Sequence, residues 1–524
     1  MPKVLIADKM SPLATECFGR SGIEVDVKTG MSPAELIACI GDYDGVAIRS
    51  SSKITADVLA AADNLKVVGR AGIGVDNVDV AAATARGVVV MNTPFGNAIT
   101  TAEHAISMML ALARQIPQAN QSTHAGKWEK SKFMGVEVMN KVLGIIGCGN
   151  IGSIVADRAL GLKMRVLAFD PYLTPERAAE IGVEKVDLDR LLAHADFISL
   201  HTPMTDATRG LINAAALAKT RPGVRIINCA RGGLVVEADL KAALESGHVA
   251  GAALDVFEVE PATDSPLFGM DNVIVTPHLG ASTTEAQEKV AVQVAEQMAD
   301  FLLNGAVANA LNMPAVSVEE APRLKPYMRL VEELGAFAGQ ATRSSISEID
   351  ICYEGDAAQV NHKPLTAILL KGLLGPLMEG VNMVNAPHIA QERGIRIREA
   401  TSDNAGEYFT RVVLTVTTES QTRSVAGTLF NKEPRIVAIK GIHIDANERP
   451  NMLYITNSDK PGLIGALGTT LGDAGINIAT FHLGRAEQGG DAIALIEVDE
   501  EPGRDVIEKI LGLEHVLQVV SLRF

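Results

Sequence analysis

The stretch Val142-Leu-Gly-Ile-Ile-Gly147-Cys-Gly149-Asn-Ile-Gly152 constrains this chain more than any other, because it suits one local arrangement and begins 141 residues into the sequence. Val142–Ile146 has the length and unbroken apolarity of a buried parallel strand. Gly147, Gly149 and Gly152 then satisfy G-x-G-x-x-G, and Ser153–Leu160 reads as the opening of a helix. The glycines serve separate physical ends, namely a tight turn, a bare backbone against a pyrophosphate, and close helix–sheet packing. Amides at the helix N-terminus favour the phosphate charge. A second strand, Arg165–Phe169, ends in Asp170, 18 residues after Gly152. An acidic side chain there accepts hydrogen bonds from ribose hydroxyls and repels a 2′-phosphate, so the pattern predicts NAD rather than NADP.

Further strands are expected at Phe197–Leu200, Val224–Ile227, Val249–Leu254 and Asn272–Val275, with helices such as Ala214–Lys219 and Glu237–Ser246 between them. That alternation predicts a doubly wound sheet with its ligand crevice at the carboxyl ends of the strands. Residues 1–92 carry an α/β pattern of their own. Its candidate strands are Val4–Ala7, Glu24–Val27, Gly45–Ile48, Lys66–Val68 and Val88–Met91; its candidate helices are Leu13–Arg20, Pro33–Ile40 and Ala56–Ala62. Thr101–Leu112 then reads as a long apolar helix. Ser282-Thr-Thr-Glu285 offers a capping box for a second long helix running to Leu303 and closed by Asn304-Gly305. Two such helices would carry the chain out of the first domain and back, leaving the nucleotide-binding part inserted and a cleft between two lobes.

Composition narrows the partners. A chain of 524 residues should hold three or four domains, since single cores rarely exceed ~250–300 residues. Hydrophobic content of 47% with only 4% aromatics suits parallel sheets packed with Ala, Val, Ile and Leu. A formal net charge of −16 argues against nucleic acid or an anionic membrane surface as partner. An anionic substrate would need its own cluster of arginines against that field. The five cysteines (Cys17, Cys39, Cys148, Cys229, Cys352) are scattered and unpaired in spacing, which fits a reducing compartment and predicts no metal site. MPKVLIADKM enters a strand without a signal-peptide core, and no apolar run is long enough to span a bilayer, so the expected location is cytoplasmic.

Three later segments place polar residues just past apolar strands: Arg231 in Asn228-Cys-Ala-Arg-Gly-Gly, Glu258 and Glu260 in Ala253-Leu-Asp-Val-Phe-Glu-Val-Glu-Pro, and His278 in Thr276-Pro-His-Leu-Gly. Histidine titrates nearest neutral pH and is the natural proton carrier of the set. Gly232-Gly233 suggests a backbone pressed against a ligand. With Gly147–Gly152 and Asp170, these motifs resemble the D-2-hydroxyacid dehydrogenase family over roughly residues 1–312. Finer features resemble the long-form branch of that family acting on 3-phospho-D-glycerate: VVGRAGIGVDNVD (67–79), MNTPFGNA (91–98) and GKWEKSKFMG (126–135).

The resemblance implies specific roles. His278 would be the acid–base group and Glu260, next to Pro261, its carboxylate partner, while Arg231 would clamp the substrate C1 carboxylate. NAD contacts would extend over Asn150, Ile151, Thr202, Cys229, Ala230, Arg231, Asp255, His278, Leu279, Gly280 and Ala281. Substrate contacts would come from Arg49, Ser50, Arg70, Gly72, Ile73, Gly74 and Asn97, with Arg49 and Arg70 facing a phosphate. Ile73 stands where some relatives carry Thr, and Lys130 where some carry an Arg that reaches a neighbouring subunit. The implied reaction is NAD-dependent oxidation of 3-phosphoglycerate to 3-phosphohydroxypyruvate, the first step of phosphorylated L-serine synthesis, with 2-oxoglutarate reduction as a side activity. The alternatives are a reductase of an unphosphorylated 2-keto acid and a non-enzymatic NAD-sensing corepressor.

Beyond Pro314 the chain continues with candidate strands Ser347–Tyr353 and Arg411–Thr417, the apolar run Leu365–Met378, and a weak anion-site pattern of Arg435, Lys440 and His443. Residues 452–524 follow β-α-β-β-α-β, and Asn457-Ser-Asp-Lys-Pro-Gly462 with Ala474-Gly-Ile-Asn477 resembles the ACT regulatory domain. Asp459 and Asn477 are the implied effector residues, with L-serine the expected effector. The fold expected is therefore α/β: a Rossmann-type nucleotide domain (98–283) inserted in a flavodoxin-like substrate domain (1–97 and 284–313). An α+β intervening domain (314–447), similar to an allosteric substrate-binding module, and a ferredoxin-like ACT domain (448–524) would follow. Paired ACT domains and a core of this family imply a homo-oligomer, dimer or tetramer.

Overall fold

Short, wholly apolar strands need cover on both faces, and the chain supplies it twice with helices. The computed structural model describes residues 1–447 and 449–524; the boundary expected at Glu448 lies outside the described residues. The first sheet contains β1 (Lys3–Ile6), β2 (Glu24–Val27), β3 (Gly45–Ile48), β4 (Val67–Arg70) and β5 (Val89–Asn92), all parallel in the order β2-β1-β3-β4-β5. The second contains β6 (Val142–Ile146), β7 (Arg165–Phe169), β8 (Glu184–Lys185), β9 (Phe197–Leu200), β10 (Val224–Asn228), β11 (Val249–Leu254) and β12 (Val273–Val275). Its order, β12-β11-β10-β9-β6-β7-β8, reverses direction between β6 and β9, which opens a crevice at their carboxyl ends.

The two long helices take opposite sides. Ala98–Arg114 buries Ala102, Ala105, Met109 and Leu112 in the core of the second sheet, beside Ile145, Ile227 and Ala253. Thr284–Asn304 returns to the first sheet and buries Val290, Ala291, Val294 and Met298 with Val67 and Val89. Its cap differs from the sequence expectation. Thr283, not Ser282, is the N-cap and accepts the Ala286 amide at 3.2 Å; the third helical residue is then an alanine, which cannot reciprocate, so no capping box forms. Gly305 closes the helix at φ +72° as a left-handed cap.

The third sheet comprises β13 (Ile346–Gly355), β14 (Arg396–Ser402), β15 (Thr410–Thr418), β16 (Thr422–Phe430), β17 (Glu433–Ile439) and β18 (Ile442–Ala446). It is antiparallel apart from the β13–β14 pair. Only β13 and β15 were legible as strands. β14 is an edge strand with no buried residue, so its sequence carries no alternation to read. The apolar run Leu365–Met378 begins as the helix His362–Leu374, which is buried against the helix Ala321–Ala341. The anion site does not assemble: Arg435 sits at the far end of the β17–β18 hairpin from Lys440 and is held by Asp445 at 2.9 and 3.1 Å.

The fourth sheet, β19 (Asn451–Ser458), β20 (Ile478–Arg485), β21 (Asp491–Val498) and β22 (Val516–Arg523), has the order β20-β21-β19-β22 with two helices on one face. One hydrophobic core runs from Val4 and Phe18 through Val307 and Val316 to Leu369, and on to Tyr454 and Leu522. The C-terminal half is thus packed onto the first lobe rather than strung from it. Among the described residues, no helix is long and apolar enough to cross a membrane.

The helices Ala321–Ala341 and His362–Leu374 meet backbone to backbone, because any Cβ on Gly335, Gly339 or Gly372 would overlap a carbonyl of the opposite helix. Gly339→Val should therefore cost about 1–3 kcal/mol, the usual penalty of overpacking a tight core. A lowered unfolding midpoint in a thermal melt is the expected readout, and an unchanged midpoint would show that the helices can part freely.

Candidate active site

The carboxyl ends of the first two sheets face each other across a cleft made of two contiguous cavities of about 480 and 850 Å3. Both are lined by Arg70, Asn97, His278 and Ala281. The first cavity adds Ile73, Gly74, Asn150, Ile151 and Thr202, together with Cys229, Ala230, Arg231 and Gly280. The second adds Arg49, Ser50, Gly72 and Glu260. The residues expected to hold substrate, and most of those expected to hold NAD beyond the glycine turn, are therefore walls of one space.

The glycine turn after β6 has the shape its motif requires. Gly147 has φ +89°, and a Cβ there would lie 2.6 Å from the His201 carbonyl oxygen. A Cβ on Gly152 would overlap the Gly147 carbonyl, whereas one on Gly149 would meet nothing within 4 Å. The open side at Gly149 leads into the N-terminus of the helix Asn150–Gly161, where amides can meet a pyrophosphate. Asp170 accepts the Cys148 and Tyr172 amides, each at 2.8 Å, and keeps further lone pairs for hydroxyl donors. These features fit NAD. Burial pushes the Cys229 thiol well up, so it stays protonated in the cleft wall.

His278 follows β12 in a left-handed conformation, φ +54°, with its amide donating to the Asp255 carbonyl at 2.9 Å. Its Nδ1 meets Glu260 Oε2 at 2.6 Å, and Glu260 Oε1 accepts the Phe257 amide at 3.0 Å. Glu260, not Glu258, is the carboxylate on the ring. The Glu260 hydrogen bond raises the His278 pKa above the ordinary imidazole value despite burial. Burial alone would raise the Glu260 carboxyl, but His278 and the Phe257 amide outweigh it and hold it below the usual range.

Asp255 does not face the cleft. It is fully buried and accepts Thr276 Oγ1 at 2.6 Å and the amides of Leu279 and Gly280 at 2.7 and 2.8 Å. His104, from the crossover helix, approaches the same carboxylate at 3.2 Å. Its place is behind the His278 loop, which it fastens. Leu279 is part exposed on that loop and lines neither cavity.

The arginines converge on the open side. Arg70 is largely buried; its Nε has no hydrogen-bond partner among the described residues, and burial pushes its pKa down to about 10. Gly72 and Gly74 leave room for arginines, since a Cβ on the first would overlap the Arg70 guanidinium and one on the second that of Arg231. Arg231 donates from Nε to Asp76 Oδ2 at 3.0 Å, across the cleft. Gly232 is bare for another reason than the sequence suggested: its Cβ would overlap the Phe257 carbonyl, so it packs against protein and not ligand.

Asp76, Lys53 and His201 line the cleft without having been singled out from sequence. His201 alone carried a signal, as the first residue past β9. Its Nε2 meets Ser199 Oγ at 2.8 Å, and burial pushes its pKa down to about 4, so it is neutral near pH 7. Lys130 lies on an exposed turn outside this cleft. In the fourth sheet, Asp459 receives the Gly489 amide at 3.0 Å and Arg485 at 3.1 Å, while Asn477 donates to Asp499 at 2.9 Å. Asn477 precedes β20 and Arg485 ends it, so at ~3.3 Å per residue the two effector candidates lie over ~20 Å apart within one chain.

Residues 106–280 match the family model described as D-isomer specific 2-hydroxyacid dehydrogenase, NAD binding domain. Residues 323–440 match the D-3-phosphoglycerate dehydrogenase intervening domain, and 451–515 the ACT domain. A D-3-phosphoglycerate dehydrogenase of Synechocystis is 45% identical over 95% of this chain and 91% of its own length. One of Archaeoglobus fulgidus is 42% identical over 98% of both. Among solved structures, the D-lactate dehydrogenase of Aquifex aeolicus, complexed with NAD and lactic acid, superposes with a TM-score of 0.54 at 25% identity, covering 60% of this chain and all of that one.

Replacing Glu260 by Gln removes the charge that raises the His278 pKa. A pH titration of the His278 ring by NMR should then show a lower midpoint than in the unaltered protein; an unmoved midpoint would mean the pair does not form in solution.

Proposed function

The chain belongs to the D-3-phosphoglycerate dehydrogenases, within the D-isomer-specific 2-hydroxyacid dehydrogenases, and we propose on that premise how its cleft oxidises 3-phospho-D-glycerate to 3-phosphohydroxypyruvate. The observation that carries the reading is Arg70, a buried guanidinium with an unpartnered Nε in the same cleft as the His278–Glu260 pair. A cation this buried, relieved only in part by Asp76 and Asp8 nearby, is costly, and a dianionic ligand relieves it further. Arg49 and Lys53 stand on the same wall, so the phosphate binds there while the C1 carboxylate goes to Arg231. Gly147–Gly152 and Asp170 would hold NAD, which when bound would supply the acceptor for the C2 hydride.

The protein's own groups move the proton. With Nδ1 committed to Glu260, the His278 Nε2 takes the proton of the C2 hydroxyl, and the Glu260 carboxylate stabilises the imidazolium that forms. In reverse, Nε2 returns it to the keto oxygen. Oxidation therefore rises, and reduction falls, as pH climbs through the raised pKa of His278.

We read the fourth domain as an effector module completed by a second chain, because Asp459 and Asn477 lie at opposite ends of β20. Exposed Ile116, Trp128, Met134 and Met139 along one segment support self-association through the nucleotide lobe as well. L-serine is the effector to test, and the cytoplasm the compartment that free cysteines suit.

The decisive assay is loss of NADH absorbance with 3-phosphohydroxypyruvate, beside 2-oxoglutarate and glyoxylate. The phosphorylated acid should be strongly preferred, and His278→Ala should abolish turnover. Arg70→Gln should raise KM for it by ~30-fold or more, as loss of a desolvated charge contact does, while unphosphorylated acids change little. Comparable rates on an unphosphorylated acid would reverse the assignment of Arg49 and Arg70.

A further inference from the structure

The Arg231–Asp76 contact joins the two lobes, linking the loop after β10 to the loop after β4. A guanidinium grips a carboxylate bidentately along one of two edges, Nε with Nη2 or Nη1 with Nη2. Here Asp76 Oδ2 takes Nε at 3.0 Å and so closes the first edge, while Nη1 donates one of its two hydrogens to the Ala230 carbonyl at 2.7 Å. Nη2 rests over Gly74, whose missing Cβ is what lets Arg231 and Asp76 meet: a Cβ there would overlap the guanidinium and lie 2.9 Å from Asp76 Oδ2. Asp76 is a carboxylate already standing where an incoming one must bind, in the cavity that holds His278.

The other nearby acids are engaged elsewhere. Asp8 accepts the amides of Arg49, Ser51 and Ser52 and the Ser52 hydroxyl. Glu260 is committed to His278. Asp76 is the more exposed member of its pair, at 68% against 28% for Arg231, so it can swing into solvent as an incoming carboxylate takes its place beside the arginines.

Resting on the reading that Arg231 receives the C1 carboxylate, we propose that Asp76 is a placeholder: its carboxylate occupies Arg231 across the open cleft and is displaced by the substrate carboxylate. It competes with binding rather than supporting the chemistry. Arg231 stays oriented between turnovers, and every 2-keto acid, phosphorylated or not, must displace the same contact.

The test is steady-state reduction of 3-phosphohydroxypyruvate and of hydroxypyruvate by the full-length chain and by D76N and D76E, with thermal melts to show that each variant folds. A screened pair of this exposure predicts that D76N lowers KM about two- to fivefold for both acids, with kcat changed less than twofold. D76E, which keeps the charge, should stay nearer the unaltered KM than D76N does. A KM that rises in D76N, or a kcat that falls tenfold, would make Asp76 a positioning residue for Arg231 and overturn the placeholder. Unchanged constants would overturn it too, leaving the functional reading intact because the unaltered chain still turns over. An unaltered chain inactive on both acids would overturn that reading and this one together.

Discussion

The return helix Thr284–Asn304 lies on the first sheet so closely that a Cβ on Gly69 would overlap Met298 and fall 2.6 Å from Val294. That contact fixes more than one lobe. The chain leaves the first sheet after β5 and re-enters it only through this helix, so its seat sets how the second sheet faces the first. Because the helix begins six residues after His278, the same seat sets where the acid–base group stands relative to Arg49 and Arg70. Parallel sheets place functional residues at their carboxyl ends, and two such ends turned toward each other make a cleft of side chains from distant parts of the chain.

Within that frame the electrostatics run against the whole molecule. A chain of net charge −16 concentrates Arg49, Lys53, Arg70 and Arg231 along one cleft. It tolerates this because Arg70 is partly relieved by neighbouring acids and Arg231 is paired with Asp76. On the opposite wall two histidine–carboxylate pairs stand one behind the other. His278–Glu260 faces the reacting space, and His104–Asp255 lies behind it, fastening the Leu279 and Gly280 amides. A buried carboxylate that accepts this many donors rigidifies the loop, which is the support a proton-transfer group needs.

Much of this was legible beforehand where the signal is local. Strands β2, β3, β7, β9 and β11 have the limits expected from the sequence, and residues 451–523 have the expected β-α-β-β-α-β order. The misses share a cause. The helix Val80–Arg86 is too short and Ala-rich to show a clear face, and β14 is an unburied edge strand. The cap at Thr283 rather than Ser282 turned on one residue of backbone geometry that two adjacent hydroxyl residues leave undecided.

By itself the sequence determined what depends on neighbours along the chain: the nucleotide turn of Gly147–Gly152, the acidic strand end at Asp170, and the residue types at the ends of β10, β11 and β12. Only the tertiary structure decided which of those groups meet. It put Glu260 and not Glu258 on His278, turned Asp255 inward, spent Gly232 on Phe257, and brought Asp76 to Arg231 from 155 residues away. Motif spacing records local backbone geometry, whereas pairing across a cleft depends on how two sheets are packed against their helices, and no single stretch of chain encodes that.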